Sequence, residues 1–259
     1  MNVSASQKLS CNGLPVYIAE SRTAVGRDAA GAIAGELRSR LQTQAGVRMV
    51  FAAAPSQAEM LDELRKQQDI DWARVVAFHM DEYLGLPPDA PQGFGTWLRS
   101  AIFDHLPFAA VHLIEPGHDP LQTAADYAAK LTEAPIDIVC CGIGVNGHLA
   151  FNDPPADFDD PLTVKIVNLD KQCRQQQVDD GCFSSLDDVP SQALTLTVPT
   201  LLSAHAIFCT VPGIAKRSAV SRALLGPWDP MCPASALQRH PHCTIFLDPD
   251  SSSGLGFSR

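Results

Sequence analysis

Two stretches of this chain hold the residue types that acid–base chemistry needs. One is the loop Gly142-Ile143-Gly144-Val145-Asn146-Gly147-His148-Leu149-Ala150-Phe151-Asn152-Asp153-Pro154; the other is Phe78-His79-Met80-Asp81-Glu82-Tyr83-Leu84-Gly85. An imidazole titrates near neutral pH, so His148 can both take and give a proton. Gly147 lets backbone approach a ligand closely beside it, and Asp153 is near enough in sequence to bond the ring and tune it. Asp81 and Glu82 point in different directions, so one can face a ligand while its neighbour makes a structural bond. Each residue also has a purely structural use. Asp81 serves as a helix cap or turn former, His148 as a satisfied core histidine, and Asp153 as a turn residue before two prolines.

The elements that position these residues follow from periodicity. Apolar strands are expected at 16–19, 47–51, 74–78, 111–114, 136–140, 164–167, 192–198, 206–211 and 243–247. Helices are expected at 24–41, from Ser56 onward, and at 94–106, 121–131, 214–225 and 235–238. The tail 251–259 reads as disordered. Strands alternating with helices predict one α/β domain over 1–259, an open, mostly parallel twisted sheet covered by helices on both faces. The strands at 74–78 and 136–140 both run straight into the chemical stretches. In such a sheet, loops at the strand ends meet in one crevice. Gly93-Phe94-Gly95-Thr96 has the flexibility of a lid over it.

Composition narrows the class. The 259 residues are 46% hydrophobic and 19% charged, as in an ordinary globular protein. A formal net charge of -10 argues against nucleic acid as the main partner. No apolar run is long enough for a membrane span, and residues 1–7 lack the basic flank and apolar core of a secretory signal. The eight cysteines show no metal-ligand spacing, and Cys140 and Cys141 are adjacent. They read as reduced thiols of a cytoplasmic protein. Gly142, Gly144 and Gly147 match G-x-G-x-x-G in spacing, but mid-chain and before a Pro-terminated turn, which is not the dinucleotide arrangement.

Met80-Asp81-Glu82-Tyr83-Leu84-Gly85-Leu86-Pro87 resembles the M-D-E-Y-x-G-L motif of the glucosamine-6-phosphate deaminase/isomerase family, whose fold 6-phosphogluconolactonases share. The loop at 142–154 is similar to that family's G-x-G-x-[DN]-G-H-I-A-F-N-E-P. Weaker echoes lie at 193–202, 213–216 and 233–238, so the resemblance covers about 47–248. Ala150-Phe151-Asn152-Asp153-Pro154 favours the deaminase branch, because lactonases carry a Ser-Leu-Phe-Pro run there. The resemblance implies catalytic roles for Asp81, Asn146, His148 and Asp153. His148, held by Asn146 and Asp153, opens the sugar ring. Asp81 moves the C2 proton to C1, and ammonia then leaves from an amino sugar. It implies a sugar-phosphate pocket from Ala54, Ser56, Gln57, Glu82, Gly144, Gly147, Arg174 and Lys216, with no metal or organic cofactor.

The chain departs from the family's commonest residues in four places. Asn146 stands where many members have aspartate, and Asp153 is one methylene shorter than the usual glutamate. The phosphate loop T-G-[SG]-T-P is replaced by Ala52-Ala53-Ala54-Pro55-Ser56, which lacks the glycines that form a backbone nest. The family's phosphate arginine has no counterpart beyond Arg174, a candidate by position only. The expected partner is therefore a small sugar phosphate, with neither nucleic acid nor membrane, and a homo-oligomer is compatible with the sequence. The alternatives are an isomerase or lactonase of another sugar phosphate, and a non-catalytic sugar-phosphate sensor that would not need Asp81.

Overall fold

The structure, a computed structural model, describes residues 6–256. The first half runs β1 (Gln7–Cys11), β2 (Leu14–Ile18), α1 (Arg22–Thr43), β3 (Val47–Phe51), α2 (Ala58–Arg65), β4 (Val75–His79), β5 (Asp81–Tyr83), α3 (Phe94–Ala101), β6 (Ala110–His112), α4 (Pro120–Thr132) and β7 (Ile138–Cys141). The second half runs β8 (Val164–Asn168), α5 (Lys171–Asp179), β9 (Gln192–Leu196), α6 (Val198–Leu202), β10 (Ala206–Val211), α7 (Arg217–Leu225), β11 (Cys243–Leu247) and α8 (Pro249–Ser252).

Eight strands form the main sheet in the order β1-β2-β11-β10-β7-β3-β4-β6. All neighbours are parallel except the β1–β2 hairpin. β7 and β10 are buried at every residue, which is why they read as unbroken apolar runs. Alternate side chains serve opposite layers. Val50, Phe78, Val139 and Cys209 pack with residues of α4 and α7. Met49, Phe51, Ala77, Cys140 and Phe208 pack with α1 and α2. Cys140 and Cys141 thus belong to opposite faces.

Strand order reverses between β3 and β7. From β3 the chain builds outward through β4 and β6, then returns to place β7 on the other side of β3. That reversal opens a crevice at the carboxyl ends of the strands, the usual ligand position in such a sheet.

A second sheet, β5-β9-β8, is wholly antiparallel. Met80 is the corner between the two sheets: its amide donates to Phe51 O in the first (3.2 Å) and its carbonyl accepts from Leu196 N at the end of β9 (2.8 Å). Asp81 is the first residue past that corner and pairs with Thr195.

Several local expectations change. The strand expected at 192–198 ends at Leu196, because Thr197 caps α6 and Pro199 stands in that helix's first turn. The helix expected at 94–106 breaks at Ile102, whose backbone leaves the helical region (φ -148°) before a short 3-10 turn at Phe103–His105. Gly93–Thr96 is not a loose lid: Gly93 caps α3, and the Glu82 carboxylate binds the helix's first amides. Of the tail expected to be disordered from residue 251, Ser251 and Ser252 belong to α8, since Asp248 at the end of β11 makes a reciprocal capping box with Ser251. Residues 1–5 and 257–259, part of the expected signal-free start and disordered tail, lie outside the described residues. No helix among the described residues is long and apolar enough to cross a membrane.

Candidate active site

The crevice at the strand reversal is lined by Ala52, Ala53, Ala54 and Ser56 after β3, Met80 and Asp81 after β4, and Gly142, Ile143, Gly144 and His148 after β7. Lys216 after β10, and Gln176 and Gln177 on α5, complete the wall, with Phe94, Ala150 and Phe151 on the remaining side. Loops separated by long stretches of sequence therefore share one pocket.

The histidine loop closes on itself. Gly144 N donates to His148 O (3.0 Å), and Gly147 N donates to Gly144 O (2.9 Å). Gly144 lies flat against the imidazole, so a Cβ there would overlap the ring. Gly147 has φ +93° and turns beside Cys232, whose Sγ would stand 2.9 Å from an added Cβ. Its role is the turn, and it is not among the lining residues.

Asn146 and Asp153 stand behind the imidazole. Asn146 Oδ1 accepts from His148 N (3.1 Å), while its Nδ2 donates to Asp153 Oδ1 (2.9 Å) and Asp170 Oδ2 (3.0 Å). Asp153 Oδ1 lies 3.3 Å from His148 Nδ1, within ion-pair distance but outside hydrogen-bond alignment. Burial alone would raise the Asp153 carboxyl. His148, Asn146 Nδ2 and the Asp170 amide outweigh it and hold the group below its ordinary range. Asp153 is thus held as an anion beside the His148 ring.

Asp81 is 6% exposed and turned into the pocket. Burial, reinforced by neighbouring Glu82, pushes its carboxyl well above the ordinary value. Glu82 does not line the pocket. Its carboxylate accepts from Tyr83 N, Phe94 N and Gly95 N at 2.8–3.0 Å and fixes the start of α3. Burial raises the Glu82 carboxyl, and those three donors partly offset it.

Lys216, also in the lining, is buried and forms no ion pair among the described residues. Desolvation pulls its ammonium down to about 8, against a smaller opposing effect of Asp180. Gln57 is a tie across the pocket floor: Nε2 donates to Thr210 O on β10 (3.0 Å) and to Ser56 Oγ (3.3 Å). Gly142 makes room for it, since a Cβ there would stand 2.9 Å from that nitrogen. Arg174 is not brought to the pocket. Its guanidinium donates to Leu186 O and Val189 O and anchors the segment after α5.

Sequence reasoning passed over Gln176, Gln177, Asp170 and Cys173. Gln176 bonds Val145 N through its Oε1 (3.0 Å), and Gln177 presents a buried amide to the pocket. The segment is polar along most of its length, so the burial of its two glutamines shows only in the structure. Asp170 caps α5 through Cys173 N (2.6 Å) and joins that helix to Asn146 and Asp153.

Comparison with known proteins adds independent support. The profile described as "Glucosamine-6-phosphate isomerases/6-phosphogluconolactonase" matches residues 20–246. A glucosamine-6-phosphate deaminase of Bacillus thuringiensis (strain Al Hakam) is 31% identical over 214 residues, 82% of this chain and 80% of that protein. A monomeric glucosamine-6-phosphate deaminase of known structure superposes with TM-score 0.85 at 25% identity, covering 92% of this chain and 99% of that one. A 6-phosphogluconolactonase from Shewanella baltica OS155 superposes with TM-score 0.73 at 18% identity, covering 90% and 97%, a likeness of fold alone. With the profile spanning most of the chain, the protein belongs to the glucosamine-6-phosphate isomerase/6-phosphogluconolactonase family.

Proposed function

We propose that the protein is an aldose–ketose isomerase of the glucosamine-6-phosphate deaminase type, converting an amino-sugar phosphate to a ketose phosphate and ammonia. The observation that carries this reading is the pairing of a buried, proton-avid Asp81 with an Asp153-backed His148 in one pocket. A lactonase needs an activated water, whereas this pair suits two successive proton transfers at a sugar.

His148 first carries a proton from the anomeric hydroxyl to the ring oxygen, and the ring opens. Asp153 stabilises the imidazolium formed on the way, and Asn146 fixes the loop that presents the ring. Asp81 then removes the proton at C2 and returns it at C1. Its raised proton affinity suits that task, because burial makes it a stronger base than an ordinary carboxylate. The resulting ketimine is hydrolysed and ammonia leaves. Lys216, Ser56 and Gln177 receive the phosphoryl end.

A second reading keeps this chemistry on a different sugar. Lys216 is the one cationic side chain among the residues lining the pocket, and Ala52–Ala54 offers no hydroxyl donors. That is a sparse site for a phosphate dianion, so a less highly charged sugar is the competing substrate. Assay of ammonia release from glucosamine-6-phosphate, from glucosamine, and of lactone hydrolysis separates the readings. Ammonia from the phosphorylated sugar supports the proposal. Ammonia from glucosamine alone supports the second reading, and lactone hydrolysis without ammonia overturns both.

A further inference from the structure

We propose that His148, Asp153 and Cys173 form a site for a thiophilic divalent cation of the zinc class, and that its occupancy blocks ring opening. One ligand atom from each residue lies within 4.8 Å of the other two. Cys173 is fully buried at the start of α5, and His148 and Asp153 belong to the loop after β7. Sequence spacing conceals the trio, since none of the three follows a metal-ligand pattern.

A second observation points to a ligand there. His148 is 8% exposed, and its Nδ1 is buried with no hydrogen-bond partner. The nearest polar atom, Asp153 Oδ1 at 3.3 Å, is misaligned for a hydrogen bond, though that separation suits two ligands of one tetrahedral ion. Buried ring nitrogens are ordinarily satisfied. One sulfur, one nitrogen and one oxygen form the donor set of a zinc site that keeps its fourth position open. Magnesium and calcium favour all-oxygen surroundings. The supporting bonds are also present. Asn146 Nδ2 and Asp170 N orient the Asp153 carboxylate, while Asp170 Oδ1 holds Cys173 N. Such outer bonds fix ligand geometry.

Binding is a ligand exchange without redox change. The Cys173 thiol loses its proton to solvent, its sulfur takes a metal–sulfur bond, and Nδ1 donates its lone pair. The blocking half rests on the deaminase reading. During ring opening, His148 must be free to gain and lose a proton while Asp153 balances the charge. A cation at Nδ1 fixes a positive charge on the ring and consumes that carboxylate.

Titration of the full-length, metal-free protein with Co²⁺ alone tests the site without reference to activity. The expected result is a thiolate-to-cobalt charge-transfer band that saturates at one equivalent and is erased by Zn²⁺. Cys173→Ser removes the band, and Cys182→Ser, at a half-buried thiol elsewhere, keeps it. If the Cys173→Ser protein does not fold, His148→Ala serves instead, with cobalt affinity expected to fall at least about ten- to hundredfold. Absence of the band in the wild type, or its persistence in Cys173→Ser, overturns the site. Zn²⁺ is further expected to stop ammonia release, reversibly on chelation. Full activity with Zn²⁺ bound overturns the blocking half and leaves the site standing. A protein that releases no ammonia at all overturns that half together with the deaminase reading, and the cobalt band still decides the site.

Discussion

Asp81 and Lys216 both line the pocket, and burial moves each toward its neutral form. For Asp81 this raises the carboxyl pKa, which makes a better base and a less stable protein. Asp81→Asn is expected to lower turnover by about 100- to 10,000-fold, the usual cost of losing one acid–base group. The folded-state pKa lies above the unfolded one, so the protonated form stabilises the fold. That stability is complete below the unfolded pKa of roughly 4 and is lost as pH rises through the folded value. Asp81→Asn therefore has a higher Tm than the wild type at neutral pH, and the difference closes near pH 4 in thermal melts. Lys216 behaves in the opposite sense. Its ammonium, lowered to about 8, is lost as pH rises through that value. If it holds the phosphoryl group, kcat/KM, which reports the free enzyme, falls above about pH 8. Lys216→Arg keeps the charge and moves that alkaline limb upward; an unchanged limb would remove Lys216 from this role.

β9 ties together the two segments proposed to carry the acid–base groups. Thr195 pairs with Asp81, and its Oγ1 also accepts from Phe151 N in the histidine loop (3.0 Å). Asn152 Nδ2 reaches Leu196 O at 2.8 Å, a second tie to the same strand. Thr195→Val keeps the shape of the side chain and leaves the Phe151 amide buried and unpaired. The cost is about 1–3 kcal/mol of stability. Turnover is expected to fall by more than binding, because the bond aligns His148 with Asp81; equal changes in kcat and KM would argue for a general loosening instead. The inner strands of the main sheet were readable because burial on both faces makes them continuous apolar runs, whereas β1, a mostly exposed edge strand, was missed. β5 was not, being three residues with two carboxylates, Asp81-Glu82-Tyr83. Nor was α5, where Lys171–Asp179 is polar along most of its length and buries glutamines. The residues missed at the site, Gln177, Asp170 and Cys173, all belong to α5 or its cap. Arg174 and Glu82 carry charge for structural reasons, one on backbone carbonyls and one on backbone amides. Sequence alone gives no sign of that, since side-chain direction depends on tertiary neighbours.

For the whole molecule, alternation of strands and helices fixes a parallel sheet, and the order β11-β10-β7-β3-β4-β6 fixes where it opens. Asp81, His148 and Lys216 each follow a different strand, and only the reversal between β3 and β7 brings their loops together. The acid–base pair was legible as two motifs; their shared pocket was a property of topology. The net charge of -10 leaves Lys216 as a local exception within an acidic protein, so recognition of an anion depends on this pocket and not on the overall field. The central claim is that Asp81 abstracts the C2 proton of an amino-sugar phosphate. Following the C2–H resonance of glucosamine-6-phosphate by proton NMR, with ammonia measured in parallel, tests it directly. The wild-type protein is predicted to erase that resonance at the rate ammonia appears, while Asp81→Asn preserves it. Ammonia released with C2–H intact, or an Asp81→Asn protein that erases the signal at the wild-type rate, would contradict the account.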